Sequence, residues 1–141
     1  MRKIGETKMV IASNELLETL TENGYTTLQI KCAVIGRSTS SRISQASVED
    51  ILVNSPSHRH PDGEIVFSFD RVAVLKENWN NDEWLKFLTI LNFNYDNGYG
   101  RQELFGVVWL TDGAWLERYE YDGAENWVLK KLPTIPAELE A

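Results

Sequence analysis

Apolar positions change their spacing several times along the chain, and each change predicts an element. Lys8 to Ile11 is a short apolar run that predicts a first strand, and Ser13 stands where a helix N-cap is expected. Leu16, Leu17 and Leu20 fall on one helical face, Glu15 and Glu18 sit in its early turns, and Asn23-Gly24 supplies a left-handed stop. From Tyr25 to Ile35 the period drops to two. Leu28, Ile30, Cys32 and Val34 alternate there with Thr27, Gln29, Lys31 and Ala33, which predicts a strand with Cys32 in the core.

The middle of the chain is less regular. Residues 36–47, G-R-S-T-S-S-R-I-S-Q-A-S, have no period and read as a mobile loop, and 54–63 is a second loop rich in turn residues. Between them Val48 to Val53 fits one turn of helix or a short strand. Residues 63–69 and 71–75 predict two further strands. Asn81 is the expected cap of an amphipathic helix with Trp84, Phe87, Leu88 and Leu91 on one face, and a third loop follows at 92–100.

The final third reads as a β-meander. Its three apolar runs are separated by Asp112-Gly113 and Asp122-Gly123, both matching two-residue type I′ turns. A two-residue turn at Asp112-Gly113 pairs Leu110 with Trp115, Trp109 with Leu116 and Val108 with Glu117. One face then carries Gly106, Val108, Leu110, Trp115, Glu117 and Tyr119; the other carries Phe105, Val107, Trp109, Leu116 and Arg118. Neither is polar, so either both sides are covered or one is an apolar binding surface. The expected fold class is α+β, a mainly antiparallel sheet with a C-terminal three-stranded β-meander and two α-helices. It forms a single domain over 1–141, ending in an extended tail at 133–141.

Composition narrows the function. At 43% hydrophobic, 141 residues suffice for a core without staples, and the single Cys32 cannot form an internal disulfide, so a cytoplasmic setting is expected. No apolar run approaches a membrane span, and no membrane partner is expected. The formal charge is −7, and between Glu77 and Glu125 ten acidic residues face three basic ones. That field repels phosphate backbones, so direct nucleic-acid binding is not expected; a protein partner with a basic surface is.

No residue pattern carries identifiable catalysis. His58 and His60, with Asp62 behind them, lack the further ligands a structural zinc site needs. D-N-G-Y-G at 96–100 precedes a strand and not the helix N-terminus of a phosphate cradle. Glu117 and Glu120 lie on opposite faces of one strand and cannot converge on one bond. The serines at 38–47 form no nucleophile elbow, and Arg37 and Arg42 read as solvated. No catalytic residue, metal or cofactor is expected.

The residues Trp109, Leu110, Asp112, Gly113, Trp115, Leu116, Arg118, Glu120, Tyr121, Asp122, Gly123, Glu125 and Trp127, followed by Pro133, Ile135 and Pro136, form a specific pattern. It resembles a C-terminal segment of small, mostly uncharacterised proteins encoded by bacteriophages, prophages and other mobile elements. The resemblance covers roughly the last thirty residues. It implies a phage or bacterial origin and hence a bacterial host cytoplasm, but no reaction. With the acidic charge it gives the expected function: a non-enzymatic inhibitor of a host protein, of the anti-CRISPR or anti-restriction type. The alternatives are an immunity- or antitoxin-like protein binding a basic toxin, and an unrecognised enzyme. The expected contacts are Glu103, Asp112, Trp115, Glu117, Arg118, Tyr119, Glu120, Tyr121, Asp122 and Glu125. A homodimer burying the second aromatic face accounts for the pattern equally well.

Overall fold

The computed structural model describes residues 9–38, 46–53, 69–98 and 101–140. The strand expected over 63–69 lies outside them except for Phe69, as do Arg42, His58, His60 and Asp62. The fold is α+β with mainly antiparallel sheet, as the sequence predicts. Three α-helices occur among the described residues where two were expected, because Val48–Val53 is helical.

Strand β1 (Met9–Ile11) runs directly into helix α1 (Ala12–Glu22). Ser13 is not the cap; it is buried inside the helix. The Ala12 and Ser13 N–H groups donate to the carbonyls of Phe93 (3.0 Å) and Leu91 (2.9 Å), so a distant chain segment does the work of a side-chain cap. Strand β2 (Ile30–Arg37) begins later than its period suggested, after a 3-10 turn at Thr27–Gln29. Helix α2 (Val48–Val53) starts with reciprocal bonds between Ser47 and Asp50. After strand β3 (Arg71–Leu75) comes helix α3 (Asn81–Ile90), capped by Asn80, one residue before the expected Asn81. Asn80 and Glu83 form a capping box there. Within the segment expected to be a loop, Asn94–Asp96 is strand β4, which pairs antiparallel with β1.

The main sheet has the order β3-β2-β5-β6-β7, every described pairing antiparallel, with β5 at Leu104–Leu110, β6 at Trp115–Tyr121 and β7 at Ala124–Lys130. Its inner face presents Ile30, Ala33, Ile35, Leu75, Val108, Leu110, Leu116 and Trp127 to Leu16 and Leu20 of α1, Phe87 and Leu91 at α3, and Phe93 and Tyr95. Each fully buried Leu or Phe contributes about 1.5–3 kcal/mol. Among the described residues no helix is long and apolar enough to cross a membrane.

Two irregularities decide which side chains face inward. A bulge between Ile30 and Cys32 resets the phase of β2, so Ile30, Ala33 and Ile35 share the core. Cys32 moves to the other face and is only partly buried, contrary to expectation. The β5–β6 connection is also one residue longer than its Asp-Gly suggested. Trp109 pairs with Trp115, Val108 with Leu116 and Val107 with Glu117, around a three-residue loop ending in Gly113 at φ +90°. That is a tight turn closed by a left-handed residue, the usual three-residue hairpin. The one-residue slip regroups the strands: Val108, Leu110, Leu116 and Arg118 face inward together, and Trp109, Trp115, Glu117 and Tyr119 face outward together. The second turn, Asp122 (φ 52°) and Gly123 (φ 87°), is the two-residue type I′ that was expected.

Gly106 has φ +144°, and a Cβ there would lie 2.1 Å from the Val34 carbonyl oxygen on β2. Gly113 has open space around its missing Cβ. Gly106→Ala is therefore expected to destabilise the fold by at least about 3 kcal/mol, from strain and a backbone clash together. Gly113→Ala is expected to cost about 1 kcal/mol, from strain alone. Urea unfolding of both variants checks this; equal losses would contradict the close β2–β5 approach.

Candidate protein-binding face

Strand β6 reads W-L-E-R-Y-E-Y, and its alternation sends Trp115, Glu117, Tyr119 and Tyr121 to the outer face. Val107 and Trp109 from β5 and Val128 from β7 stand beside them. The Trp115 indole Nε1 donates to Glu117 Oε1 at 2.9 Å, fixing an aromatic ring and a carboxylate in one arrangement. Tyr119 and Tyr121 are 54% and 71% exposed.

Helix α2 covers the opposite end of this face. Val34, Ile51, Phe69 and Phe105 make a second, smaller core there, with Phe69 edge-on to Phe105 at 6.1 Å between ring centres. Two shallow hollows flank the open part. One, of about 250 Å³, is lined by Ser47, Val48, Phe105, Val107 and Glu117. The other, of about 300 Å³, is lined by Cys32, Glu77, Trp109 and Gly113. The Cys32 thiol is held above its ordinary value by burial and then by Glu77, the reverse of what a nucleophile needs.

The ten residues expected at a partner surface do not form one patch. Trp115, Glu117, Tyr119 and Tyr121 share the open face. Glu120 projects from the other side of β6, is exposed, and accepts the Gly123 N–H at 2.9 Å. Asp122 is exposed at the β6–β7 turn. Asp112 is at the opposite end of β6, where its carboxylate accepts the Tyr25 hydroxyl (2.7 Å) and the Ala114 N–H (3.0 Å). The Tyr25 bond, then the backbone bond, holds the Asp112 carboxyl below its ordinary range.

Arg118 and Glu125 are corrections, since both side chains are buried, and Glu103, partly exposed, is taken up by an ion pair. Glu103 pairs with Arg37 at 3.3 Å, and Arg37 also pairs with Asp70 at 3.1 Å, so Arg37 is not simply solvated either. The side chains of Arg118 and Glu125 are 2% and 0% exposed. Arg118 Nη2 donates to Glu125 Oε1 (2.5 Å) and to the Tyr95 hydroxyl (2.8 Å), and Nη1 donates to Glu15 Oε1 (3.1 Å). The Tyr95 hydroxyl donates to Glu15, as does Asn97 Nδ2 at 2.8 Å. Glu125 also accepts the backbone N–H groups of Glu103 (2.7 Å) and Leu104 (3.1 Å), and the Trp127 ring lies 4.9 Å from the guanidinium. Burial raises the Glu125 carboxyl against the opposing pull of Arg118, and burial likewise raises the Tyr95 hydroxyl.

This cluster borders a groove of about 580 Å³ whose lining includes Asn14, Glu15, Glu18, Glu22, Asn97 and Trp127. Its walls are carboxylates, amides and apolar groups. Among the described residues no three His, Cys, Asp or Glu side chains converge as a metal site would require.

Removing the guanidinium leaves Glu125 buried without its cation. Arg118→Met is expected to lower the unfolding free energy by about 3–5 kcal/mol near neutral pH. The deficit should shrink as the pH falls toward 4.5, the ordinary glutamate value, because the orphaned carboxyl takes up its proton in the folded chain first. Denaturant melts across that range check the sign; a deficit that grows on acidification would contradict it. No protein-family model, curated protein or solved structure matches the chain.

Proposed function

We propose that the chain is an acidic, non-enzymatic binding protein that engages the basic surface of another protein through the open face of β5, β6 and β7. One observation carries this reading: Trp109, Trp115, Tyr119 and Tyr121 share that face with Glu117, and the two tyrosines are largely exposed. Rigid aromatics beside a carboxylate are the composition of interface anchors. The charge of −7 steers a basic partner toward them and repels phosphate.

The resemblance of the C-terminal segment to mobile-element proteins extends the proposal. On it, the chain is of phage or mobile-element origin and inhibits a host protein. A nucleic-acid-handling defence complex, as in anti-CRISPR or anti-restriction proteins, offers a basic groove that such a surface would occupy in place of phosphates.

The test is a pull-down from bacterial lysate at low and high salt, with the wild type beside a Glu117→Gln, Tyr119→Ser, Tyr121→Ser variant. Gln keeps an acceptor for the Trp115 indole while removing the charge. The wild type is expected to capture one stoichiometric partner that weakens with salt, and the variant to lose at least about 10-fold in capture. A partner held equally by the variant would rule out this face.

A further inference from the structure

Strand β7 ends the main sheet on one side, and among the described residues no strand lies beyond it. Its two-residue turn with β6 makes Tyr121 and Ala124 a hydrogen-bonded pair, so Ala124, Asn126, Val128 and Lys130 bond to β6. Glu125, Trp127 and Leu129 therefore turn their N–H and C=O groups to the free edge. The Glu125 N–H agrees with this phase, donating to the Asn97 carbonyl just past β4 at 2.8 Å. Beyond that bond no described backbone group takes up the N–H and C=O of Trp127 and Leu129. A free edge of this kind is a template for an added strand.

The groove of about 580 Å³ borders this edge, lined by Asn126 and Trp127 of β7 and by Asn14, Glu15, Glu18 and Glu22 of α1 among others. The three glutamates recur at i, i+3 and i+7, on one side of the helix. None of the described residues lining the groove is basic. Arg118 holds Glu15, whereas Glu18 and Glu22 are exposed and form no ion pair among the described residues. A separate observation concerns Trp127, which is only 4% exposed and whose indole Nε1 has no acceptor among the described residues. A buried donor left unpaired is costly, and in a residue that lines a groove it points to an acceptor brought in from outside.

We infer that this groove binds an extended basic peptide of a partner protein, laid along the edge of β7 as an added strand of the main sheet. Its backbone supplies carbonyls for the two N–H groups of Trp127 and N–H groups for the β7 carbonyls. Its alternate side chains stand about 6.6–6.8 Å apart, close to the rise of about 6 Å from Glu18 to Glu22 along the helix. A basic residue at every second position therefore meets both carboxylates. A metal ion or a polyamine would meet the carboxylates but leave the edge and the indole unpaired. The inference goes beyond the open-face reading and does not rest on it, since the groove lies on the α1 side of the sheet.

Fluorescence anisotropy of the whole chain with a labelled peptide, acetyl-Lys-Thr-Arg-Thr-Lys-Thr-amide, tests it. The wild type is expected to bind with a Kd below about 100 µM at low salt, and more weakly as salt is raised. Glu18→Gln with Glu22→Gln is expected to weaken binding at least about 10-fold at an unchanged thermal midpoint, because both side chains are exposed. Tyr119→Ser with Tyr121→Ser is expected to leave binding unchanged, which separates this groove from the open face. Methylating the peptide's backbone nitrogens removes its donors and is expected to abolish binding. Hydrogen exchange at the Trp127 and Leu129 amides is expected to slow in the complex. No binding at about 1 mM, equal affinity in the glutamine variant or for the methylated peptide, loss in the tyrosine variant, or unslowed exchange at Trp127 would each overturn the inference.

Discussion

The buried guanidinium of Arg118 is the point on which the arrangement of the C-terminal meander depends. It joins Glu15 on α1, Tyr95 on β4 and Glu125 on β7, and it lies against the ring of Trp127. Ion pairs so deeply buried contribute little net stability relative to apolar replacements, but a wrong arrangement that strands one charge is very costly. A slip of β6 by one residue against β5 would turn Arg118 to the other face, away from Glu15 on α1 and Tyr95 on β4, and leave Glu15 without its cation. Such a slip is therefore penalised beyond its loss of apolar contacts.

That penalty has a consequence on the opposite side of the sheet. Residues alternate strictly along β6, so fixing Leu116 and Arg118 inward fixes Trp115, Glu117, Tyr119 and Tyr121 outward. Helix α2 covers only the end near Phe105, and the tyrosine end stays open. Glu125 assists by bonding the N–H groups of Glu103 and Leu104 beyond the last β5–β6 pair, Val107 and Glu117. The inner polar cluster and the outer aromatic face are two results of one register.

The sequence made the elements legible but not their phase. Period-two runs marked the meander strands, and the i, i+3, i+4 spacing of Trp84, Phe87 and Leu88 marked α3. Asp112-Gly113 misled because Gly in a left-handed position ends a three-residue loop as readily as it completes a two-residue one. The bulge at the start of β2 has no side-chain signature, so Cys32 was placed on the wrong face. Strand β4 is short and polar, Asn94–Asp96, and depends on pairing with β1. Arg118 and Glu125 looked like surface charges because charged residues usually are. The missed signal was joint: the Asp122-Gly123 turn pairs Arg118 with Trp127 and Glu120 with Glu125, which puts Glu125 on the Arg118 side.

The most direct test of this account is a measurement of the β5–β6 register in solution. Trp109 faces Trp115, and Val107 faces Glu117, in the non-hydrogen-bonded positions of the ladder, where α-protons of opposed residues approach closely. Nuclear Overhauser contacts between the α-protons of Trp109 and Trp115, and of Val107 and Glu117, are the predicted result. Contacts placing Trp115 opposite Leu110, or Glu117 opposite Val108, would show the two-residue turn instead. They would contradict both the buried Arg118 cluster and the aromatic face opposite it.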